Sequence, residues 1–226
     1  NWKSENLQGR FKYNKTGVEM KNKFLVIIMI LSLAFISYAE EIGIFNITEE
    51  VKAKITGNSY DIKGPVKIED LVLVKVKYIN FNNEEKIGSI IINKKLSKDI
   101  YDIFNELYEA KYPIDKIGLI DEYNNSDELS MADNNSYAFS MRMKTGKNTY
   151  STHAYGFAID INPIQNPYIK NNVIAPESGI DYLNRNDKRK GMIIKGDVCY
   201  NAFKKRGWTW GGDWKSLKDY QHFEKS

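Results

Sequence analysis

The sequence contains a single cysteine, Cys199, among its 226 residues. One thiol cannot form an intramolecular disulfide, and a metal site built from paired cysteines is equally excluded. Cys199 lies within Val198–Phe203, a segment whose apolar residues are typical of the buried face of a helix. We therefore predict that Cys199 is a core residue and not a reactive thiol.

The sequence also lacks a charge excess once its first segment is set aside. The net charge is +4, and residues 1–39 account for all of it, because they contain six Lys or Arg and two Glu. The remainder holds equal numbers of basic and acidic residues. Its charge therefore does not point to nucleic acid or to anionic wall polymers. We expect no nucleic-acid partner, and we expect a monomer.

No apolar run reaches the ~20 residues that a membrane-spanning helix needs. The run Phe24–Tyr38 follows the basic segment Met20–Lys23 and closes in Ser37-Tyr38-Ala39, with small residues where a signal peptidase requires them. We predict a signal peptide over residues 20–39, cleavage before Glu40, and export to the periplasm or to the outside or cell wall of a bacterium. An uncleaved anchor is the alternative, and it would be the only contact with the membrane. Because no cysteine follows the run, a lipoprotein anchor is excluded.

The remaining chain has a length that suits one domain. Residues 1–19 begin with Asn and show no apolar periodicity, so we expect an upstream extension that is not part of the native start. Residues 40–65 are polar and weakly patterned, and we predict a leader segment there. The functional domain is then expected over residues 66–226.

Local patterns predict a domain that mixes helices and strands. Leu71–Tyr78 and Ile87–Ile92 are expected to form a hairpin. Apolar residues at helical spacing predict a helix that begins near Ser97 and stops before Pro113. We further expect a strand over 114–120, a loop over 121–136, a strand over 157–161 and a helix over 196–207. Since no regular βαβ rhythm is present, we predict an α+β fold with a mostly antiparallel sheet flanked by helices.

Histidine is scarce, and the sequence has only two, His153 and His222. Two imidazoles and one carboxylate, here Asp160, form a familiar catalytic zinc set that leaves a fourth tetrahedral position open. The spacing from His153 to Asp160 is not helical, so a turn at Gly156 would have to bring both to one metal. Spacing alone leaves a structural hydrogen bond as an alternative. Asp219, three residues before His222, is placed to accept a proton.

A longer pattern surrounds these residues. Ser151-x-His153-x-x-Gly156-x-Ala158-x-Asp160, followed by Asp219-x-x-His222, resembles the zinc D-alanyl-D-alanine carboxypeptidase and L-alanyl-D-glutamate endopeptidase family of cell-wall enzymes. The resemblance implies one Zn²⁺ per chain, held by His153, Asp160 and His222. It also implies that Asp219 is the general base and that the substrates are the peptide stems of peptidoglycan.

The resemblance extends over roughly Leu71 to Glu224. Further segments match the family in order: Ser130-Met131, Asn134-x-Ser136, Phe139-x-x-Arg142, Asn162-Pro163, Gln165–Tyr168, Phe203–Trp208 and Trp210–Trp214. Two departures are Asn135, where relatives more often have Thr, and Asp219, where part of the family has Glu. An Asp is one methylene shorter than a Glu, so this base must approach the reacting atoms more closely.

Four residues are candidates for substrate binding. Arg142 suits a peptide carboxylate or the negative charge of a tetrahedral intermediate, and its alternative is a surface salt bridge. Ser151 is expected to hydrogen-bond substrate, with a turn-stabilising hydroxyl as the alternative. Asp213 and Trp214 are predicted to line the pocket. Trp208, Trp210 and Trp214 suit core or rim packing as well.

The function that these residues favour is a zinc peptidase. The Trp210–Trp214 segment and the Asp base favour the endopeptidase branch, although the bond that is cut stays open. One alternative is a non-catalytic wall-binding domain that keeps the fold and the zinc. A second alternative is a secreted domain whose histidines are structural.

Overall fold

The computed structural model describes residues 41–144 and 146–225. The predicted extension over 1–19 and the predicted signal peptide over 20–39 therefore lie outside the described residues. Within the described ranges, no helix is both long enough and apolar enough to cross a membrane.

An antiparallel sheet of three strands forms one wall of the domain. Strand β1 (Gly43–Asn46) pairs with β2 (Leu71–Ile79), which pairs along its whole length with β3 (Glu85–Asn93). The continuous apolar run at the start of β2 is explained by burial on both faces. Val72, Val74 and Val76 face the main core, whereas Leu71 and Leu73 face a second, smaller core cluster.

Four α-helices occur in the described residues. They are α1 (Glu49–Ile55), α2 (Ser97–Glu109), α3 (Asp127–Ala132) and α4 (Val198–Lys204). The predicted apolar stripe of α2 is buried at Ile100, Ile103, Phe104 and Leu107 and packs in the main core with α4 and β2. Cys199 on α4 is free and buried, which confirms its prediction as a core residue.

Short strands complete the domain. They are β4 (Lys116–Ile117), β5 (Asn135–Ser136), β6 (Ala158–Asp160), β7 (Tyr168–Lys170), β8 (Val173–Ala175), β9 (Thr209–Trp210), β10 (Lys218–Asp219) and β11 (His222–Glu224). Two further antiparallel sheets have the orders β6-β11-β9 and β10-β7-β8, and β4 pairs with β5 in parallel. The α+β class is confirmed, but the single antiparallel sheet that we predicted is replaced by several small sheets.

Three local expectations differ from the structure. The strand expected over 114–120 shrinks to β4, followed by a 3₁₀ turn over Ile120–Tyr123. The loop expected over 121–136 contains α3, which Ser126 caps by accepting a hydrogen bond from the Leu129 amide. The segment expected as a leader over 40–65 contributes β1 and α1, and it buries Ile55 and Tyr60 in the smaller cluster.

Candidate metal centre

Two of the predicted ligands lie side by side on neighbouring strands. In the antiparallel pair β6–β11, His222 is directly opposite Asp160, and Phe223 is opposite Ile159. Because side chains alternate along a strand, the buried Phe223 and Ile159 face the core while His222 and Asp160 share the other face. The register of one strand pair thus brings a carboxylate and an imidazole together.

A tight turn delivers the third ligand. His153 lies in the 3₁₀ turn Thr152–Tyr155, which ends at Gly156 in the left-handed region with φ of 67°. A Cβ at Gly156 would come within 2.6 Å of the Asn93 amide nitrogen, so glycine is required by both conformation and space. The turn redirects the chain into β6, and this explains how residues 153 and 160 meet.

The three side chains converge on one point. His153 Nε2 lies 3.2 Å from His222 Nδ1 and 3.3 Å from an Asp160 carboxylate oxygen, and the other Asp160 oxygen lies 2.9 Å from His222 Nδ1. Ligands at the usual zinc distances of about 2.0–2.1 Å span tetrahedral edges of about 3.3 Å. All three residues are buried, and in the part of the chain that the structure describes they are the one cluster that could hold a metal ion.

The outer nitrogens of both imidazoles have acceptors. His153 Nδ1 lies 2.5 Å from the Ala138 carbonyl oxygen, and His222 Nε2 lies 3.2 Å from a Glu224 carboxylate oxygen. When each outer nitrogen carries the proton, His153 Nε2 and His222 Nδ1 are unprotonated. Their lone pairs then point toward the cluster and can bind a metal. The donor set and its supports therefore fit a divalent cation such as zinc.

The electrostatics of the cluster show strong mutual attraction. Burial acts to raise the pKa of Asp160, but the two imidazoles outweigh it and hold that pKa well below its usual range. Burial acts to lower the pKa of His222, but hydrogen bonds with Asp160 and Glu224 outweigh it and raise that pKa to about 10. The site therefore favours positive charge beside Asp160, which a metal cation would also supply.

Asp219 lies beside the cluster on β10, whose pairing with β7 holds it opposite Tyr168. Its Oδ1 atom is buried without a hydrogen-bond partner among the described residues. Burial raises the pKa of Asp219 to about 7, His222 opposes this rise, and Asp160 adds to it. A carboxyl group with this pKa exchanges protons readily near neutral pH.

Arg142 is near the cluster but is also engaged by its neighbours. Its Nε atom lies 2.7 Å from Asp127 Oδ2, and its Nη2 atom donates to the Tyr137 hydroxyl over 3.4 Å. Burial acts against its charge, but Tyr137 and Asp127 outweigh burial and raise the pKa of Arg142 above its ordinary value. The charge of Arg142 acts in turn on Asp219, so a permanent cation stands beside the site.

The other predicted substrate residues differ in their positions. Trp214 places its ring 5.3 Å from the His222 ring, so it lines the site. Ser151 caps the turn by accepting from the His153 amide over 3.4 Å. Asp213 is exposed and lies 3.6 Å from Lys195 Nζ and 3.4 Å from the Tyr200 hydroxyl. Ser151 therefore makes the turn-stabilising hydrogen bond that was given as its alternative role, and Asp213 contacts Lys195 and Tyr200 at the surface.

Three residues that contact the site were not predicted from the sequence. Tyr137 stacks on the His153 ring at 5.3 Å, Asp127 pairs with Arg142, and Glu224 contacts His222. Only Glu224 carries a local signal, because residues two apart on a strand share a face. Tyr137 and Asp127 reach the site through tertiary folding, which no spacing in the sequence reveals.

Comparison with known proteins agrees with this geometry. Residues 145–225 match the family model described as D-alanyl-D-alanine carboxypeptidase. The matched segment contains His153, Asp160, Asp219 and His222, whereas Arg142 precedes it. No curated protein and no solved structure matches the chain. The predicted resemblance is confirmed over residues 145–225, about a third of the chain: this segment is similar to the D-alanyl-D-alanine carboxypeptidase family, which supports a relationship to the peptidoglycan metallopeptidases.

Proposed function

We propose that this protein is an exported, zinc-dependent peptidase that hydrolyses the peptide stems of bacterial peptidoglycan. The observation that carries the proposal is the convergence of His153, Asp160 and His222, with the half-buried Asp219 close enough for its charge to interact with His222 and Asp160. A purely structural histidine would not need a second histidine and two carboxylates at the same point. The family match over residues 145–225 supports the same reaction class.

Zinc is the metal that suits the donor set. His153 Nε2, His222 Nδ1 and an Asp160 oxygen would hold it, since two imidazoles and a carboxylate are a common ligand set of catalytic zinc. Zinc bound there would polarise the scissile carbonyl and make a water more acidic. The protein's part is to present the three donors already converged and with their outer nitrogens occupied.

Asp219 is assigned the role of general base. It is ionisable near neutral pH, and its Oδ1 atom is buried without a partner among the described residues, so it can accept a hydrogen bond from a water at the site. During hydrolysis Asp219 would take a proton from the attacking water and then give it to the leaving amine. The Gly211–Asp213 turn contacts both β10 and β11, and a Cβ at Gly211 would collide with the Asp219 carbonyl oxygen, so this turn helps to position Asp219.

Arg142 is assigned to the substrate. A guanidinium binds a carboxylate or an oxyanion through charge-assisted hydrogen bonds. Asp127 and Tyr137 hold Arg142 by Nε and Nη2, which fixes the direction of its side chain. Trp214, against His222, would form a wall of the substrate cleft. Ser151 and Asp213 are also proposed to contact the substrate, and each already has a protein partner: the His153 amide for Ser151 and Lys195 for Asp213.

Mass spectrometry of defined muropeptides incubated with the purified protein, with and without a zinc chelator, tests the proposal. Chelator-sensitive loss of a terminal D-alanine would identify a carboxypeptidase. Cleavage between L-alanine and D-glutamate would identify an endopeptidase, which the Trp210–Trp214 segment and the Asp base favour. A zinc-loaded protein that cuts no stem peptide would support the non-catalytic wall-binding alternative instead.

A further inference from the structure

Glu224 is an acidic residue, besides Asp160, that contacts a histidine of the cluster. It follows His222 by two positions on β11, so the two side chains lie on the same face of the strand. Its Oε2 atom lies 3.2 Å from His222 Nε2, on the side of the ring away from Asp160. His222 is the main cause that lowers the pKa of Glu224, and Thr152, the residue before His153, adds to it. The Glu224 carboxylate therefore lies near the turn that carries the other imidazole.

The backbone fixes Glu224 in this place. Within the sheet it is opposite Ala158 of β6 on one side and Thr209 of β9 on the other. The Thr209 hydroxyl donates to the Glu224 carbonyl oxygen over 3.0 Å. Because both edges of β11 are paired, the carboxylate is held on a rigid element and not on a loop.

We propose that Glu224 is a positioning residue that prepares His222 to bind the metal, an inference that rests on the proposed zinc site. By accepting the Nε2 proton, Glu224 holds the tautomer whose Nδ1 lone pair faces His153 and Asp160. It also fixes the rotation of the ring, so that Nδ1 remains 2.9 Å from the Asp160 carboxylate.

Zinc affinity of the full chain, measured by competition with a chromophoric chelator, tests this role. Glu224→Ala removes the acceptor and should weaken zinc binding about 10- to 100-fold, the usual cost of losing such a support. Glu224→Gln keeps an acceptor oxygen at the same position and should recover most of the affinity. Glu177→Ala, which removes an exposed carboxylate from another part of the surface, is the matched control and should bind zinc as the wild type does.

The melting temperature of the chelator-treated variants separates positioning from folding. We expect the Tm of chelated Glu224→Ala to stay close to that of chelated wild type, so that the loss appears in metal affinity alone. Unchanged zinc affinity in Glu224→Ala would overturn the proposal. So would a loss that Glu224→Gln does not rescue, or one that follows an equal loss of stability in the chelated protein. A wild-type protein that binds no zinc would overturn the proposed function together with this inference.

Discussion

Asp219 and His153 lie at the same site, but their replacement should have different consequences. Asp219→Asn keeps the size of the side chain and removes its ability to accept a proton. We expect the variant to retain zinc and to lose about 10²- to 10⁴-fold in kcat, the usual contribution of a general base. The measurement is turnover of whichever muropeptide the wild type cuts, with zinc content determined by elemental analysis.

His153→Ala provides the contrast, because it removes a ligand and should lose zinc and activity together. If Asp219→Asn also lost its zinc, Asp219 would be a residue that holds or orients the metal, and the proton transfer would need another acceptor. Zinc retained at full occupancy by His153→Ala would refute the ligand assignment.

At the residue scale, the sequence is informative where chemistry is concentrated in rare residue types. With only two histidines in the chain, the motif around each one was enough to predict the cluster that the structure brings together. The supports of the cluster could not be predicted in the same way. Tyr137 is one of 15 tyrosines, and its stacking on His153 depends on the pairing of Tyr137 with Asp160 across separate segments.

At the scale of elements, replacement of Gly156 in the turn before β6 should destabilise the folded protein. Gly156→Ala would place a methyl group 2.6 Å from the Asn93 nitrogen at a φ of 67°, so both strain and collision oppose it. We expect a loss of about 3 kcal/mol or more in the free energy of unfolding, together with weaker zinc binding, because His153 would move. Denaturant unfolding and chelator competition measure the two effects.

Gly57 supplies the control for this prediction. Its φ is 80°, and no atom lies within 4 Å of the place that an added methyl group would occupy. Gly57→Ala therefore carries the backbone strain without the collision. We expect it to cost about 1 kcal/mol and to leave zinc affinity unchanged. If both variants lost the same free energy of unfolding, the collision between the methyl group added at Gly156 and β3 would contribute nothing to the destabilisation.

Ion pairs join α2 to the two residues that directly follow α4. Glu106 on α2 pairs with Arg206 and with Lys205, and the hydrogen bond from Arg206 is the main cause that lowers the pKa of Glu106 from its ordinary value. Because the folded-state pKa is depressed, the stabilisation is present above the unfolded-state value and is lost as pH falls through the folded-state value. Glu106→Gln should therefore cost up to about 1 kcal/mol at neutral pH, and the difference should shrink as the pH falls below the ordinary range of a Glu carboxyl group.

Denaturant unfolding of wild type and Glu106→Gln at several pH values checks this sign. Glu49→Gln, which removes a highly exposed partner of Lys52, should show no measurable difference at any pH. A Glu106→Gln deficit that persisted unchanged in acid would mean that packing, and not charge, accounts for the effect.

The elements that the sequence predicted well are those with a strong period. β2, β3 and α2 have nine, nine and 13 residues, and each buries a regular set of apolar positions. The short elements were not predictable for a physical reason. α3 has six residues, buries only Ser130, and lies in a polar stretch where its capping serine is indistinguishable from a loop residue.

At the scale of the whole molecule, zinc should act as a stabilising ligand. A metal that binds only the folded chain adds about 2.7 kcal/mol at a free concentration 100 times its Kd. For a chain of this size, that corresponds to a rise in Tm of about 5–10 °C. Differential scanning calorimetry with graded zinc, against calcium or magnesium as oxygen-preferring controls, measures the effect. A Tm independent of zinc would contradict a buried zinc site.

The pairing of β6 with β11 has a consequence for the order in which the molecule folds. His222 and Asp160 face each other across that pair although 62 positions separate them in the chain. The chain between them must close a long loop, and this loss of entropy comes before any stabilising contact between the two strands can form. We therefore expect the metal cluster to form late, after the local β2–β3 hairpin and α2. Zinc would then bind to and stabilise a chain that has already folded. Peptidase activity would therefore appear only after folding is complete.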